Sequence, residues 1–191
     1  MWTDSLWHND WELLQWCAAV GASLVAALYD VGVRRIPNYL TGLFFLAGVA
    51  WALGVARLPG LADGLLGCAI MMLPYLVLFV FAGGGAGDAK LMGALGMWLG
   101  TRNGALALVA VAVSGAALGI AFAASKKRSR LLIENLAQIM RATLFSLGGK
   151  LGPAEARMLL PDPKKMLGMP YGVAILVGVC LAAGRSYLWR G

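Results

Sequence analysis

The chain has 191 residues, of which 60% are apolar and only 13% are charged. Soluble domains are about half apolar and about a quarter charged, so this composition excludes an ordinary soluble globule. Sixteen Lys and Arg residues against nine Asp and Glu give a net charge of +7. Nucleic-acid binding needs a polar basic face, which so apolar a chain does not offer. The basic excess is better explained as a signal of membrane orientation.

Six apolar stretches follow one another along the chain. A membrane-spanning helix needs about 20 mostly apolar residues to cross a hydrocarbon core of roughly 30 Å. Five stretches approach that length, and one is shorter. The sequence therefore predicts an all-α membrane protein, a bundle of six transmembrane helices in a single domain over residues 1–191. The predicted spans are residues 13–29, 39–56, 64–82, 88–99, 105–124 and 170–189.

One long segment, residues 125–169, lies between the last two predicted spans. Within residues 130–147 its apolar side chains recur at helical spacing, with charged and polar residues on the other faces. The pattern fits either an amphipathic helix lying on the membrane surface or a connector packed against the bundle.

The distribution of basic residues predicts the orientation. Eleven of them fall on one side of the predicted spans and four on the other, and the side rich in Lys and Arg faces the cytoplasm. Both termini then face outward. The eleven are Arg34, Arg35, Lys126, Lys127, Arg128, Arg130, Arg141, Lys150, Arg157, Lys164 and Lys165, and the four are Arg57, Arg102, Arg185 and Arg190.

The usual metal and redox residues are few and scattered. Cys17, Cys68 and Cys180 lie far apart with no Cys-x-x-Cys pair, and the single histidine, His8, lies in the polar N-terminal segment. We therefore expect neither a disulfide framework nor a metal site, and the sequence implies no cofactor.

Two carboxylates fall at the predicted cytoplasmic ends of spans. Asp30 ends the first span, which runs inward, and Asp88 begins the fourth, which runs outward. Both acids should therefore reach the same depth. An ionisable group in a membrane span is costly, so it is a functional candidate by default, although a helix cap or an interface anchor would explain either acid alone.

The residues around each acid break the helical pattern. After Asp30, Pro37 prevents continuation of the helix, and Asn38 is a good N-cap for the second span. Before Asp88 runs the segment Gly83-Gly84-Gly85-Ala86-Gly87, which permits close approach of another backbone. A phosphate-binding loop is disfavoured because no Gly-Lys-Ser/Thr ends the run and no strand precedes it. A flexible hinge without chemistry is the stronger alternative.

Three segments together resemble the prepilin peptidases, which are membrane aspartic proteases of the Gly-x-Gly-Asp type. They are Asp30 with Arg35-Ile36-Pro37-Asn38, then Gly85-Ala86-Gly87-Asp88-Ala89-Lys90-Leu91, and finally Met169-Pro170-Tyr171-Gly172-Val173-Ala174-Ile175. The resemblance covers roughly residues 13–189 and is strongest to the short Tad-type members, which process Flp pilins. Bifunctional prepilin peptidases carry paired Cys-x-x-Cys motifs associated with N-methylation. This chain has none, so the resemblance implies proteolysis alone.

The resemblance implies that Asp30 and Asp88 are the catalytic residues. Two carboxylates a few ångströms apart cannot both ionise cheaply, so the pair would share one proton near neutral pH. One acid would take a proton from water while the other polarises the scissile carbonyl, without a covalent intermediate. The sequence does not assign the shared proton to either acid.

The neighbouring residues have weaker expected roles. Gly85 and Gly87 would let an extended substrate approach the acids, and Arg34 and Arg35 would either orient the substrate or only mark the cytoplasmic side. Lys90 is favoured as an interface anchor over a catalytic partner. The residues expected to shape the site without taking part in the chemistry are Pro37, Asn38, Lys90, Pro170, Tyr171 and Gly172.

The implied substrates are type IV prepilins of the Flp type and pseudopilins, cut at the cytoplasmic face of a bacterial inner membrane. The only other expected partner is membrane lipid, and no nucleic acid is expected. Two alternatives belong to other classes. An ion-coupled small transporter would explain intramembrane acids, and a catalytically silent scaffold of a pilus or secretion machine would explain the span pattern.

Overall fold

Four helices make up the described part of the molecule, which is a computed structural model. The structure describes residues 9–82, 85–125 and 171–188, together with the isolated residues 134, 137, 138, 141 and 148. The helices are α1 (Asn9–Val33), α2 (Asn38–Ala82), α3 (Ala86–Ser125) and α4 (Tyr171–Leu188). None of the described residues lies in a strand. Each helix is long and apolar enough to cross a membrane.

The predicted count of six helices is not supported, because four of the predicted spans are joined in pairs. Residues 39–56 and 64–82 both fall in α2, and residues 88–99 and 105–124 both fall in α3. The sequence predicts a loop of several residues within each pair. Instead, a single residue in each helix has non-helical dihedral angles: Arg57 (φ 52°, ψ −139°) in α2 and Gly100 (φ 70°, ψ −171°) in α3.

The contacts around Arg57 show that α2 folds back on itself there. A Cβ atom placed on Gly60 would lie 2.7 Å from the carbonyl oxygen of Ala52, although eight residues of straight helix span about 12 Å. Met97 of α3 contacts both Gly48 and Gly64, which lie on opposite sides of Arg57. Pro59 explains the break locally because it lacks an N–H and restricts the residue before it.

The break in α3 depends on a glycine and on a buried acid from α2. Gly100 has a positive φ that glycine adopts readily, and a Cβ atom on it would collide with the Asp63 carboxylate. Asp63 Oδ1 accepts hydrogen bonds from the Thr101 N–H at 3.2 Å and the Thr101 hydroxyl at 2.5 Å. Asp63 thereby satisfies backbone and side-chain donors where the helix resumes.

The first part of α3 forms the centre of the bundle. All ten residues of 91–100 are buried, and glycines let the neighbouring segments approach closely, with Gly67 of α2 against Gly96 and Gly100. This explains how a span of only 12 predicted residues, 88–99, can be accommodated, because protein rather than lipid surrounds it. The expected amphipathic helix at residues 130–147, within the segment 125–169, lies largely outside the described residues.

Candidate active site

Asp30 lies one turn before the end of α1. The Arg34 N–H donates to the Asp30 carbonyl oxygen at 3.0 Å, and Arg34 itself has a positive φ of 54°, which ends the helix. The next helix begins at Asn38, where the Thr41 hydroxyl donates to the Asn38 carbonyl oxygen at 3.1 Å. The Asp30 side chain is half-buried, with Arg34 and Arg35 exposed just beyond it.

Asp88 is the third residue of α3 and is also half-buried. The first backbone hydrogen bond of this helix runs from the Ala89 N–H to the Gly85 carbonyl oxygen at 3.4 Å. The Asp88 carboxylate folds back over Gly85, because a Cβ atom there would lie 2.5 Å from Asp88 Oδ2. A carboxylate in the first turn of a helix is favoured by the helix dipole. Glycine at position 85 is therefore required by the position of Asp88 itself.

The start of α4 binds directly to the first acid. The Gly172 N–H donates a hydrogen bond to Asp30 Oδ2 at 2.7 Å, across 142 residues of sequence. A Cβ atom on Gly172 would lie 3.0 Å from Asp30 Cβ and 3.2 Å from Ala27 Cα. Only glycine lets the two backbones come this close without displacing Asp30.

A second set of contacts joins the α1–α2 turn to α3. The Lys90 ammonium donates to Asn38 Oδ1 at 2.9 Å, and a Cβ atom on Gly87 would lie 3.2 Å from Ile36 Cβ. Lys90 therefore ties the turn to the helix that carries Asp88, a role compatible with the expected anchor. The small size of Gly87 makes room for Ile36, as that of Gly85 makes room for Asp88.

These contacts place Asp30 and Asp88 at the same end of the bundle, where the α1–α2 turn, the start of α3 and the start of α4 meet, although the two acids are 58 positions apart in the sequence. Within the described ranges, no group of three His, Cys, Asp or Glu side chains is arranged to hold a metal ion. The arrangement offers two acids, a backbone N–H on one of them and a half-buried setting, which are the elements needed to activate a water molecule.

Sequence reasoning placed Tyr171 near the site but missed Tyr75. Tyr75 lies in α2 with only 7% of its surface exposed, and its hydroxyl oxygen is 3.4 Å from that of Tyr171. Tyr75 sits in a uniformly apolar stretch with no motif around it, so nothing in the local sequence marks it. Pro37, another expected neighbour of the site, lies in the α1–α2 turn, where its carbonyl oxygen accepts from the Thr41 N–H at 3.4 Å. Pro170 lies outside the described residues.

A bundle of helices long and apolar enough to cross a membrane, with two half-buried carboxyl groups at one end, defines a membrane protein. The type IV leader peptidase family matches residues 17–120, more than half of the chain, and the match includes both Asp30 and Asp88. The chain belongs to this family and is therefore a peptidase, a hydrolase of prepilin leaders. No curated protein and no solved structure matches the chain.

Proposed function

We propose that the chain is an aspartic endopeptidase that removes the leader peptide of Flp-type prepilins and pseudopilins. The observation that carries this proposal is the placement of Asp30 and Asp88 near the ends of two helices at the same end of the bundle. Family membership supports the leader-peptidase activity, and the two acids supply its chemistry. The Tad-type subfamily is part of the proposal and rests on the sequence resemblance.

The proposed reaction uses one water molecule and no cofactor. One carboxylate takes a proton from water while the other, protonated, gives its proton to the scissile carbonyl oxygen as the water oxygen bonds to the carbonyl carbon. The resulting tetrahedral diol breaks its C–N bond as the first carboxyl passes its proton to the leaving amine and a diol hydroxyl returns a proton to the second carboxylate. Two carboxylates that share one proton can perform both roles and return to their starting state. The Gly172 N–H would hold Asp30 in place throughout.

Both acids lie near helix ends, which supports cleavage at the rim of the membrane. Asp30 is three residues from the end of α1, and Asp88 is three residues into α3. The proposed orientation puts this rim on the cytoplasmic side of a bacterial inner membrane, where Arg34 and Arg35 are exposed. A carrier that binds an ion would place such acids nearer the middle of the bilayer.

We further propose that the chain crosses the membrane six times, with both termini outside. A straight helix of 45 residues would be about 68 Å long, more than twice the hydrocarbon thickness. The fold-back at Arg57 and the break at Gly100 divide α2 and α3 into four pieces, of which three are of bilayer length and the fourth, residues 86–99, is short and surrounded by protein. Reporter fusions after residues 35, 58, 85, 101, 148 and 191 would test this: alternating inside and outside locations support six crossings, and a cytoplasmic C-terminus contradicts them.

The decisive experiment follows processing of a co-expressed Flp-type prepilin by gel shift. We expect complete processing by the parent and none by Asp30→Asn or Asp88→Asn at equal membrane abundance. Asp63→Asn is the matched control, because it makes the same change at a buried aspartate and keeps an oxygen to accept from Thr101. Cleavage by either Asp30→Asn or Asp88→Asn would remove that residue from the mechanism.

A further inference from the structure

Two tyrosines from distant parts of the chain meet beside the paired acids. Tyr75 belongs to α2 and Tyr171 is the first residue of α4. Their rings meet edge to face with centroids 5.9 Å apart, and their hydroxyl oxygens are 3.4 Å apart. Tyr75 is buried, so its hydroxyl is held in a water-poor environment.

The tyrosine pair adjoins Asp30 through the start of α4. Tyr171 directly precedes Gly172, whose N–H donates to Asp30 Oδ2 at 2.7 Å, and the Tyr75 hydroxyl oxygen lies 3.4 Å from that of Tyr171. Tyr75 lies seven residues before the end of α2, about 10 Å deeper along the helix than that end. The tyrosine pair therefore lies on the membrane side of the two carboxylates.

The hydroxyl of Tyr75 has hydrogen-bonding capacity to spare. Hydroxyl pairs bond best at 2.7–2.8 Å, so the separation of 3.4 Å from Tyr171 is a weak contact. Buried tyrosine hydroxyls usually have a good partner. A substrate peptide lying between the two acids and the tyrosine pair would supply a good hydrogen-bond partner for Tyr75.

We propose that Tyr75 is a further residue of the proteolytic site, whose hydroxyl donates a hydrogen bond to the oxygen of the scissile peptide as water adds to it. This inference rests on the proposed function. Negative charge develops on that oxygen during the addition, and a donor already in place at a water-poor site stabilises it. The proton stays on the tyrosine, so the balance of the two-acid reaction is unchanged.

Tyr171 acts in this arrangement as a positioning residue for Tyr75. Its own hydroxyl rests against α3, because a Cβ atom placed on Gly115 would lie 2.5 Å from Tyr171 Oη. Glycine at position 115 thus leaves the space in which the Tyr171 hydroxyl can reach Tyr75. A side chain there would move the hydroxyl without touching either acid.

The test measures steady-state cleavage of a purified Flp-type prepilin by the full chain in detergent. Tyr75→Phe keeps the ring and removes only the hydroxyl. We expect kcat to fall about 100-fold, the usual loss for one donor to a developing oxyanion, with KM changed less than about twofold. Tyr39→Phe is the matched control. It removes an exposed hydroxyl bonded to that of Tyr29 at 3.0 Å and should leave both constants unchanged.

A second pair of variants tests the positioning role with every site side chain kept. Gly115→Ala should lower kcat about 10-fold by displacing the Tyr171 hydroxyl, because a misplaced donor loses part of its effect. Gly119→Ala, one turn further along α3 with nothing within 4 Å of the added methyl, should match the parent. Equal kcat for Gly115→Ala and the parent would overturn the role of Tyr171.

The outcomes separate this inference from the function on which it rests. Parent-like kcat in Tyr75→Phe, or a change in KM alone, overturns the role of Tyr75 while Asp30→Asn and Asp88→Asn remain inactive. If the loss of kcat in Tyr75→Phe disappears when rates are expressed per folded enzyme, with folding judged by Tm, Tyr75 has a structural role. That result also overturns the proposed role of Tyr75. No cleavage by the parent overturns the proposed function and the inference together.

Discussion

The bundle holds aspartates at both of its ends, and it holds them in opposite ways. Asp63 lies about 28 Å along α2 from the end near Asp88, and it accepts two hydrogen bonds from Thr101 where α3 resumes after Gly100. Asp30 and Asp88 lie together at the other end, where the Gly172 N–H supplies one hydrogen bond to Asp30.

The difference separates an acid in a structural role from the two acids proposed to be catalytic. Asp63 accepts two hydrogen bonds from Thr101, so it stabilises a chain reversal. Asp30 and Asp88 are two half-buried carboxyl groups at the same end of the bundle, a setting typical of catalytic sites. Burial alone would have selected Asp63, at 8% exposed, over either member of the pair.

The largest expected effect on prepilin processing comes from a substitution at Gly172, at the start of α4. The same substitution near the other end of α4 serves for comparison. In Gly172→Val the side chain would overlap Asp30 and Ala27, push α4 from α1 and remove the hydrogen bond to Asp30. We expect prepilin processing to slow by about 100-fold or more, because small displacements of catalytic groups are costly. Gel-shift time courses at equal membrane abundance measure the rate.

Gly184→Val is the matched control on the same helix. Nothing lies within 4 Å of a Cβ atom at position 184, so this variant should process prepilin like the parent. Equal rates for the two valine variants would contradict the role assigned to the contact between α4 and Asp30.

An intermediate effect is expected on thermal stability when Asp63 and Asp88 are substituted separately. Asp63→Ala leaves the Thr101 N–H and hydroxyl without their acceptor, which should cost about 2 kcal/mol and lower Tm by roughly 5 °C. Asp88→Asn removes the repulsion from Asp30 and should keep or raise Tm while abolishing cleavage.

Thermal unfolding in detergent measures both variants. A larger loss of Tm for Asp88→Asn than for Asp63→Ala would reverse the assignment of structural and reactive acids.

The smallest expected effect concerns the exposed link between the α1–α2 turn and α3. Lys90 donates to Asn38 Oδ1 at 2.9 Å on the surface. A double-mutant cycle with Lys90→Met and Asn38→Ala should give a coupling energy of about 0.5 kcal/mol, as is typical of exposed polar pairs. The same cycle at Asp63 and Thr101, buried at the other end, should give a larger coupling. Equal couplings would remove this contrast between the two ends.

Much of the fold was predictable because membrane-spanning segments are recognisable in the sequence as long apolar stretches. The apolar stretches around residues 13–29 and 170–189 correspond to α1 and α4, and the other four stretches lie within α2 and α3. The helix count was not predictable in the same way. A reversal that uses one residue, such as Arg57 or Gly100, leaves too little polar sequence to separate one helix from two.

Some residues of the candidate site could be predicted from the sequence, and others could not. Asp30 and Asp88 stood out because acids are rare in apolar spans, and the motifs around them named the family that the comparison then showed. Tyr75 could not be singled out, since an aromatic residue in an apolar helix usually only fills the core. Its place beside Tyr171 depends on how α2 packs against α3 and α4.

The order of residues by itself determined that the chain is apolar enough to enter a membrane, which residues carry charge there, and which family it belongs to. These properties are local, because transfer into lipid depends on each segment's own side chains. Only the tertiary structure decided three contacts. Gly172 donates a hydrogen bond to Asp30, Asp63 accepts hydrogen bonds from Thr101, and the hydroxyl of Tyr75 contacts that of Tyr171. Such pairings follow from close approach at glycines between helices distant in sequence, and packing of the whole bundle fixes them.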